Sequence, residues 1–393
     1  MRSLGRNATR RAPEAADSGA RVASLATSLV SGWWLGPVGP RRCAGAARRA
    51  ELPSVPLSDF HERLGSASGV WRLVVERAWG GSRPGHRTDG ARVALAVEGG
   101  GMTGAVSAGM CVALEAWGLT ASFDVIYGSS SGALNASFTA AGQARARAGL
   151  YPRVAEAGLI DPRRALRGRP VFRLGEIVNS LLVAHPHDEK LLSGRPPLRV
   201  TATRVQDKGL DILGDFSSMQ EVRRAVWASC AIPILAGDIV EFRGDHYVDG
   251  GLIESMPYAA ALREGATHVL VLRARHADYR LRPYPPAALR TAERMFRAAP
   301  DTLVELIRER PARYNAEAGA LQSANETQLA ERVVQLAPPS DVRCTSQFEA
   351  RAHRLVDAVR LGARTAYQTV APYLAPGDAC ALSWRDQAMS EEA

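Results

Sequence analysis

Cysteine is sparse in this chain: Cys43, Cys111, Cys230, Cys344 and Cys380 are scattered over 393 residues with no C-x-x-C pair. An odd, dispersed set argues against a disulfide scaffold, and buried reduced thiols at Cys111 and Cys230 fit a cytoplasmic protein. Lysine is nearly missing. Lys190 and Lys208 stand alone, so the net charge of +9 comes from arginine and, beside abundant Ala and Gly, reads as coding bias. No basic helix is interleaved with stacking aromatics, so nucleic acid is not an expected partner. Peripheral contact with an anionic membrane surface stays open. Long apolar runs are absent as well: the stretch from Val22 to Val38 is diluted by Ser24, Thr27, Ser28, Ser31 and Gly32, short of the ~20 apolar residues of a spanning helix. No cluster has metal-ligand spacing, since His185 and His187 lack partners and read as a solvated loop. Neither a metal nor an organic cofactor is implied.

What is present divides the chain unevenly. Residues 1–55 carry nine arginines in their first fifty positions against Glu14 and Asp17, and read as a poorly ordered extension. A twin-arginine export signal at Arg10-Arg11, a transit peptide and an upstream start are all compatible with it. Residues 56–90 read as an amphipathic helix from Leu57 to Trp79 followed by a glycine-rich linker from Gly80 to Gly85. Residues 91–275 alternate strands (92–97, 123–127, 198–204, 246–248, 268–273) with helices (105–117, 131–141, 218–228, 257–264). That alternation predicts an α/β fold, a mainly parallel central sheet with helices on both faces and a ligand site at the carboxyl ends of the strands. Between Gln143 and Leu192 an insertion of short helices, one from Leu174 to Val183, reads equally as a lid or as a packing subdomain. Residues 276–393 read as mainly helical, with helices near Leu289–Ala298, Asp301–Arg308, Ala312–Asn325 and Phe348–Ala371, and a strand at Arg332–Leu336.

Three segments at predicted strand ends carry chemistry. Gly128-Ser129-Ser130-Ser131-Gly132 follows an apolar run and opens a small-residue helix, the setting in which a strained turn presents a serine, here Ser130, at a helix N-terminus. Gly99-Gly100-Gly101, followed by Gly104, offers backbone amides free of side chains for the oxyanion that serine attack on an ester would create. Asp249, before Gly250 and Gly251, ends a short strand and is the candidate acceptor of the Ser130 proton, provided the fold joins them and removes water.

Gly-Gly-Gly-x-x-Gly, Gly-x-Ser-x-Gly and Asp-Gly-Gly in this order resemble the patatin-like phospholipase family of Ser-Asp dyad lipid acyl hydrolases. The likeness runs from about Arg92 to Arg275 and takes in Leu198–Thr203, Ala228-Ser229-Cys230-Ala231-Ile232-Pro233, Ile253–Pro257 and Thr267–Leu272. It implies a three-layer sandwich, a lipid or acyl-ester substrate, Ser130 as nucleophile, Asp249 as proton acceptor and the Gly99 to Gly101 amides as oxyanion hole. The family usually has Arg or Lys where Thr103 stands, so a cation is missing from the loop while its backbone donors remain.

Other readings compete. G-x-S-x-G also marks Ser-His-Asp hydrolases, and His268, His276 and His353 all follow Asp249 in the order such a triad needs. Against it, His268 sits in an apolar strand and His353 in a charged helix. A silent lipid-binding scaffold would explain Thr103 but not the retained serine turn. The dinucleotide pattern Gly99-x-Gly101-x-x-Gly104 lacks an acidic residue at a strand end, since Asp124 begins its strand.

Overall fold

The computed structural model describes residues 69–161, 163–164, 169–177, 196–232, 239–286, 289–290, 301–324, 331–343 and 345–370. The extension 1–55, the pair His185 and His187, most of the helix expected near Leu289–Ala298, and the Leu174 helix beyond Ile177 lie outside the described residues.

The centre is β1 (Val93–Val97), whose sequence VALAV is buried along its whole length, as a parallel strand covered on both faces must be. It pairs in parallel with β2 (Val125–Ser129) on one side and β7 (His268–Leu272) on the other. Parallel pairing continues from β2 to β3 (Leu198–Arg204) and from β7 to β8 (Val333–Leu336). The far side is antiparallel: β4 (Leu210–Leu213) and β6 (Asp245–Asp249) both pair with β3, and β5 (Val240–Phe242) pairs with β6. Among the described residues the strand order is β5-β6-β3-β2-β1-β7-β8, with β4 beside β3.

Alternation along the strands sorts side chains into two layers. Val93, Leu95 and Val97 face helices α1 (Gly69–Trp79), α2 (Gly104–Ala116), α3 (Ser131–Ala140), α4 (Met219–Cys230) and α7 (Ala352–Val370). Ala94 and Ala96 face α5 (Tyr258–Arg263) and α6 (Asp301–Ala324). The result is a three-layer α/β arrangement. Helices α2 and α7 cross so closely that a methyl group on Gly109 would overlap the Val359 carbonyl, and one on Gly362 the Val106 carbonyl.

Several elements depart from their sequence reading. Strand β2 starts two residues late because Asp124 is used otherwise: its carboxylate accepts from Arg77, Arg87 and the Val93 amide, all at 2.8 Å. Asp89 also pairs with Arg77, at 2.8 Å, so the passage expected to be a linker is fastened to the sheet's lower end. The two helices expected around Pro311 are one, α6, since Leu303, Leu306 and Ile307 before the proline and Tyr314, Ala318 and Leu321 after it are all buried on the same side of the sheet. Packing there outweighs the missing hydrogen bond. Helix α7 begins at Ala352, leaving Phe348 in a turn. Strands β4 and β5, of four and three residues, were too short to announce themselves.

Candidate active site

Strand β2 ends at Ser129 and α3 begins at Ser131, which leaves Ser130 alone between them at φ 53°, ψ −130°. Such a conformation costs a non-glycine residue about 1–3 kcal/mol and persists only where its surroundings fix it. Here they do. The Ser130 amide donates to Ser229 Oγ at 2.8 Å, and the Ser229 hydroxyl donates in turn to the Thr201 carbonyl at 2.7 Å. Gly128 and Gly132 close on each other, and a side chain on Gly132 would strike the carbonyls of Val97 and Glu98. Gly104 meets Ser131 and Tyr151 in the same way.

Asp249 ends β6, with its amide bonded to the Ala231 carbonyl at 3.0 Å. One carboxylate oxygen, Oδ1, accepts from the Gly251 amide at 2.7 Å, and the other, Oδ2, accepts from Ser130 Oγ at 2.6 Å. The two residues are 119 positions apart in sequence. A side chain on Gly250 would run into Thr201. Ser130 is 5% and Asp249 2% exposed. That burial pushes the Asp249 carboxyl up to about 6, although the Ser130 hydrogen bond, the Arg310 charge and the Gly251 amide all favour its ionised form. A carboxylate of that basicity, hydrogen-bonded to a serine hydroxyl, is equipped to accept its proton near neutral pH.

The glycine loop differs from its sequence reading at two of its three amides. Gly99 was expected to donate to an oxyanion, but its amide is taken by the Ser255 carbonyl at 3.0 Å. Its place in the site is steric, for a Cβ there would lie 2.8 Å from that of Ser130. The Gly100 amide donates to Ser131 Oγ at 3.1 Å, leaving Gly101 as the loop amide committed to neither. The first turn of α3 adds the Ser131 amide, at a helix end where amides lack intrahelical acceptors. Thr103 Oγ1 donates to the Gly100 carbonyl at 2.9 Å. The cation beside the loop is Arg275, from the end of β7: Nη1 is 3.4 Å from Glu98 Oε1, and a Cβ on Gly100 would lie 2.9 Å from it.

Ser130, Asp249 and the three loop glycines line a narrow cleft together with Phe172, Arg310, Gln347 and Phe348. Phe172 and Phe348, with ring centroids 6.1 Å apart, form an apolar wall. Phe172 belongs to the insertion after α3, so that passage does border the site. Sequence reasoning missed Ser229, Arg310, Gln347 and Phe348. No histidine lines the cleft among the described residues. His268 opens β7 opposite Val93, at the other end of the sheet, where its Nδ1 is 2.9 Å from Thr267 Oγ1. His276 stacks edge-on against Tyr279, and His353 is exposed.

A family model for patatin-like phospholipases matches residues 95–262. Those residues are a patatin-like phospholipase domain. Its relatives include human patatin-like phospholipase domain-containing protein 2, 32% identical over 163 residues, or 39% of this chain and 30% of that protein. The Escherichia coli protein YjjU is 29% identical over 195 residues, 46% of this chain and 52% of YjjU. Mouse omega-hydroxyceramide transacylase is 29% identical over 135 residues, 33% and 22% of the respective chains. The chain thus spans at most about half the length of these relatives. The crystal structure of VipD from Legionella pneumophila aligns with a TM-score of 0.34 at 14% identity, covering 71% of this chain and 67% of that one. The names of the patatin-like relatives include a phospholipase domain, an acyltransferase and a transacylase.

Proposed function

We propose that this chain is a serine acyl hydrolase that cleaves carboxylic ester bonds of lipids with Ser130 as nucleophile and Asp249 as general base. The observation that carries the reading is the 2.6 Å hydrogen bond from Ser130 Oγ to the buried Asp249 carboxylate. As Ser130 Oγ attacks the acyl carbonyl, its proton passes to Asp249 Oδ2. The tetrahedral oxyanion is received by the amides of Gly101 and Ser131, a contribution of about 2.7–4 kcal/mol per donor in comparable enzymes. Collapse expels the alcohol, which takes the proton back from Asp249 and leaves an acyl-Ser130. Water, deprotonated by Asp249, then releases the fatty acid.

The test is labelling with a serine-reactive fluorophosphonate, read beside turnover of a short-chain p-nitrophenyl ester. Ser130→Ala is expected to lose both labelling and turnover, while Ser129→Ala keeps both. Labelling that survives Ser130→Ala sinks the assignment, and an unlabelled, inactive wild type favours a silent lipid-binding scaffold. An acyl-enzyme can equally pass its acyl group to an alcohol, and relatives named for acyl transfer make this the second reading. Mass spectrometry of the products with and without added monoacylglycerol separates free fatty acid from transferred acyl group.

A further inference from the structure

Residues 254–256 form a short strap between the Asp-Gly-Gly turn and α5, and it is tied to every part of the site. The Ser129 hydroxyl, next to the nucleophile, donates to the Glu254 carbonyl at 2.9 Å. The Gly99 amide donates to the Ser255 carbonyl at 3.0 Å, and the Ser255 hydroxyl donates to the Gly251 carbonyl at 3.0 Å. Nucleophile turn, glycine loop and Asp-Gly-Gly turn thus share one fixture. The strap is held in turn by Glu317 of α6, which lies beyond the segment matched by the family model. Glu317 Oε2 accepts from the Ser255 amide at 3.0 Å and the Met256 amide at 3.1 Å, and Oε1 also accepts from the Ser255 amide, at 3.2 Å. The Tyr258 hydroxyl donates to the Glu317 carbonyl at 3.3 Å, so side chain and backbone of this one α6 residue both grip the passage.

The placement is unfavourable for a carboxylate. No cation pairs with Glu317 among the described residues, and the charged groups that bear on it, Glu254 and Glu98, have its own sign. Burial and the Glu254 charge push its carboxyl well above the usual range, against the pull of the Met256 and Ser255 amides. Glu254 itself is occupied elsewhere, accepting from the Ala260 amide at 2.7 Å and from Arg263 at 2.8 Å. A carboxylate without a counter-ion is a poor device for stability alone, but a charged acceptor can fix two successive amides firmly. We infer that Glu317 is a positioning residue, holding the 254–256 strap so that the glycine loop and the Asp-Gly-Gly turn keep their places beside Ser130. This rests on the acyl hydrolase reading and adds the residue that sets the spacing of its parts. Losing the Ser129 tie leaves two others, in keeping with the turnover expected of Ser129→Ala; losing Glu317 releases the strap that all three share.

Two variants test it: Glu317→Met keeps the length of the side chain without an acceptor, and Glu317→Gln keeps one oxygen within reach of both amides. On the p-nitrophenyl ester, kcat of Glu317→Met per folded molecule is expected to fall roughly 10- to 100-fold, the scale of a displacement of about 1 Å among reacting groups. KM should stay within about twofold of wild type, because Glu317 does not touch the substrate. Fluorophosphonate labelling should slow by the same factor as kcat, and Glu317→Gln should recover most of both. Glu305→Gln, on the same helix but paired with Lys208 at the surface, should leave both unchanged. Wild-type kcat per folded molecule in Glu317→Met overturns the inference whatever its melting temperature, and makes Glu317 a support of the fold alone. A Glu317→Gln as slow as Glu317→Met overturns it too, since charge and not the bonds to the strap would then matter. Should Glu317→Met fail to fold, Glu317→Asp decides: it keeps the charge but withdraws the oxygens by one methylene, the same loss of kcat is expected, and wild-type kcat overturns the inference. Failure of the hydrolase reading looks different, because wild type is then neither labelled nor active, and the inference falls with it.

Discussion

Asp249 is asked to be buried and charged at once, and that conflict has measurable consequences. With its carboxyl pushed up to about 6 by burial, the acid limb of kcat/KM on a soluble ester should reach half-height near pH 6. An acid limb near pH 4 would mean that the carboxylate is better solvated than its burial implies. Because the folded value lies above the ordinary 3.8, this group favours the folded state below about pH 4 and loses that contribution as pH rises through about 6. Asp249→Asn removes the burden: it keeps an oxygen for the Gly251 amide, cannot take a proton, and should abolish most turnover. Its melting temperature should match wild type near pH 4 and exceed it at pH 8, the limit being on the order of 3 kcal/mol. A variant that melts lower at pH 8 would show that the Ser130 hydrogen bond outweighs the desolvation cost. At this scale much of the site was legible. Ser130 and Asp249 announce themselves because a nucleophile turn and an Asp-Gly-Gly turn both require glycine at fixed offsets. Gly99 and Gly100 were expected as oxyanion donors, and nothing local reveals that the Ser255 carbonyl and the Ser131 hydroxyl claim their amides. Arg310, Gln347 and Phe348 carry no local pattern; only chain packing brings them to the cleft.

The elements that hold the loop are governed by close approach. At the crossing of α2 and α7, Gly109 and Gly362 let each helix rest on the other's carbonyls, and α2 begins where the glycine loop ends. Gly362→Ala should force the helices apart at a cost of about 1–3 kcal/mol, and the shift of α2 should lower ester turnover per folded molecule. Gly319 in α6 is the control, since a Cβ there meets nothing within 4 Å. Gly319→Ala should be neutral or stabilise by up to about 1 kcal/mol through helix propensity. Thermal melts of the two variants decide the matter, and equal effects would dismiss the crossing as a constraint. The central strands could be read from sequence because parallel strands buried on both faces are continuous apolar runs. The unbroken α6 could not, because Pro311 is a local stop signal that only the burial of both halves overrides.

Across the whole molecule, the matched domain contains only part of its own site wall, Phe172. The Gln347 carbonyl accepts the Met102 amide at 3.1 Å, Phe348 completes the apolar wall, and α6 brings in Arg310, all from beyond residue 262. A chain ending at residue 340 should therefore keep Ser130 and Asp249 yet lose most of its ester turnover and melt earlier, with α7 gone from α2. Near-wild-type turnover in that truncation would show that the last segments only cover the site. The sequence reading, which drew the core at 91–275, had no means of seeing this, since Gln347 and Phe348 sit in a turn with no periodicity. The same bond from Gln347 to Met102 has a consequence in time. The nucleophile leaves the ribosome more than 200 residues ahead of Gln347, which at ~5–20 residues per second is roughly ten to forty seconds. During that interval the nascent chain carries its serine without a finished cleft.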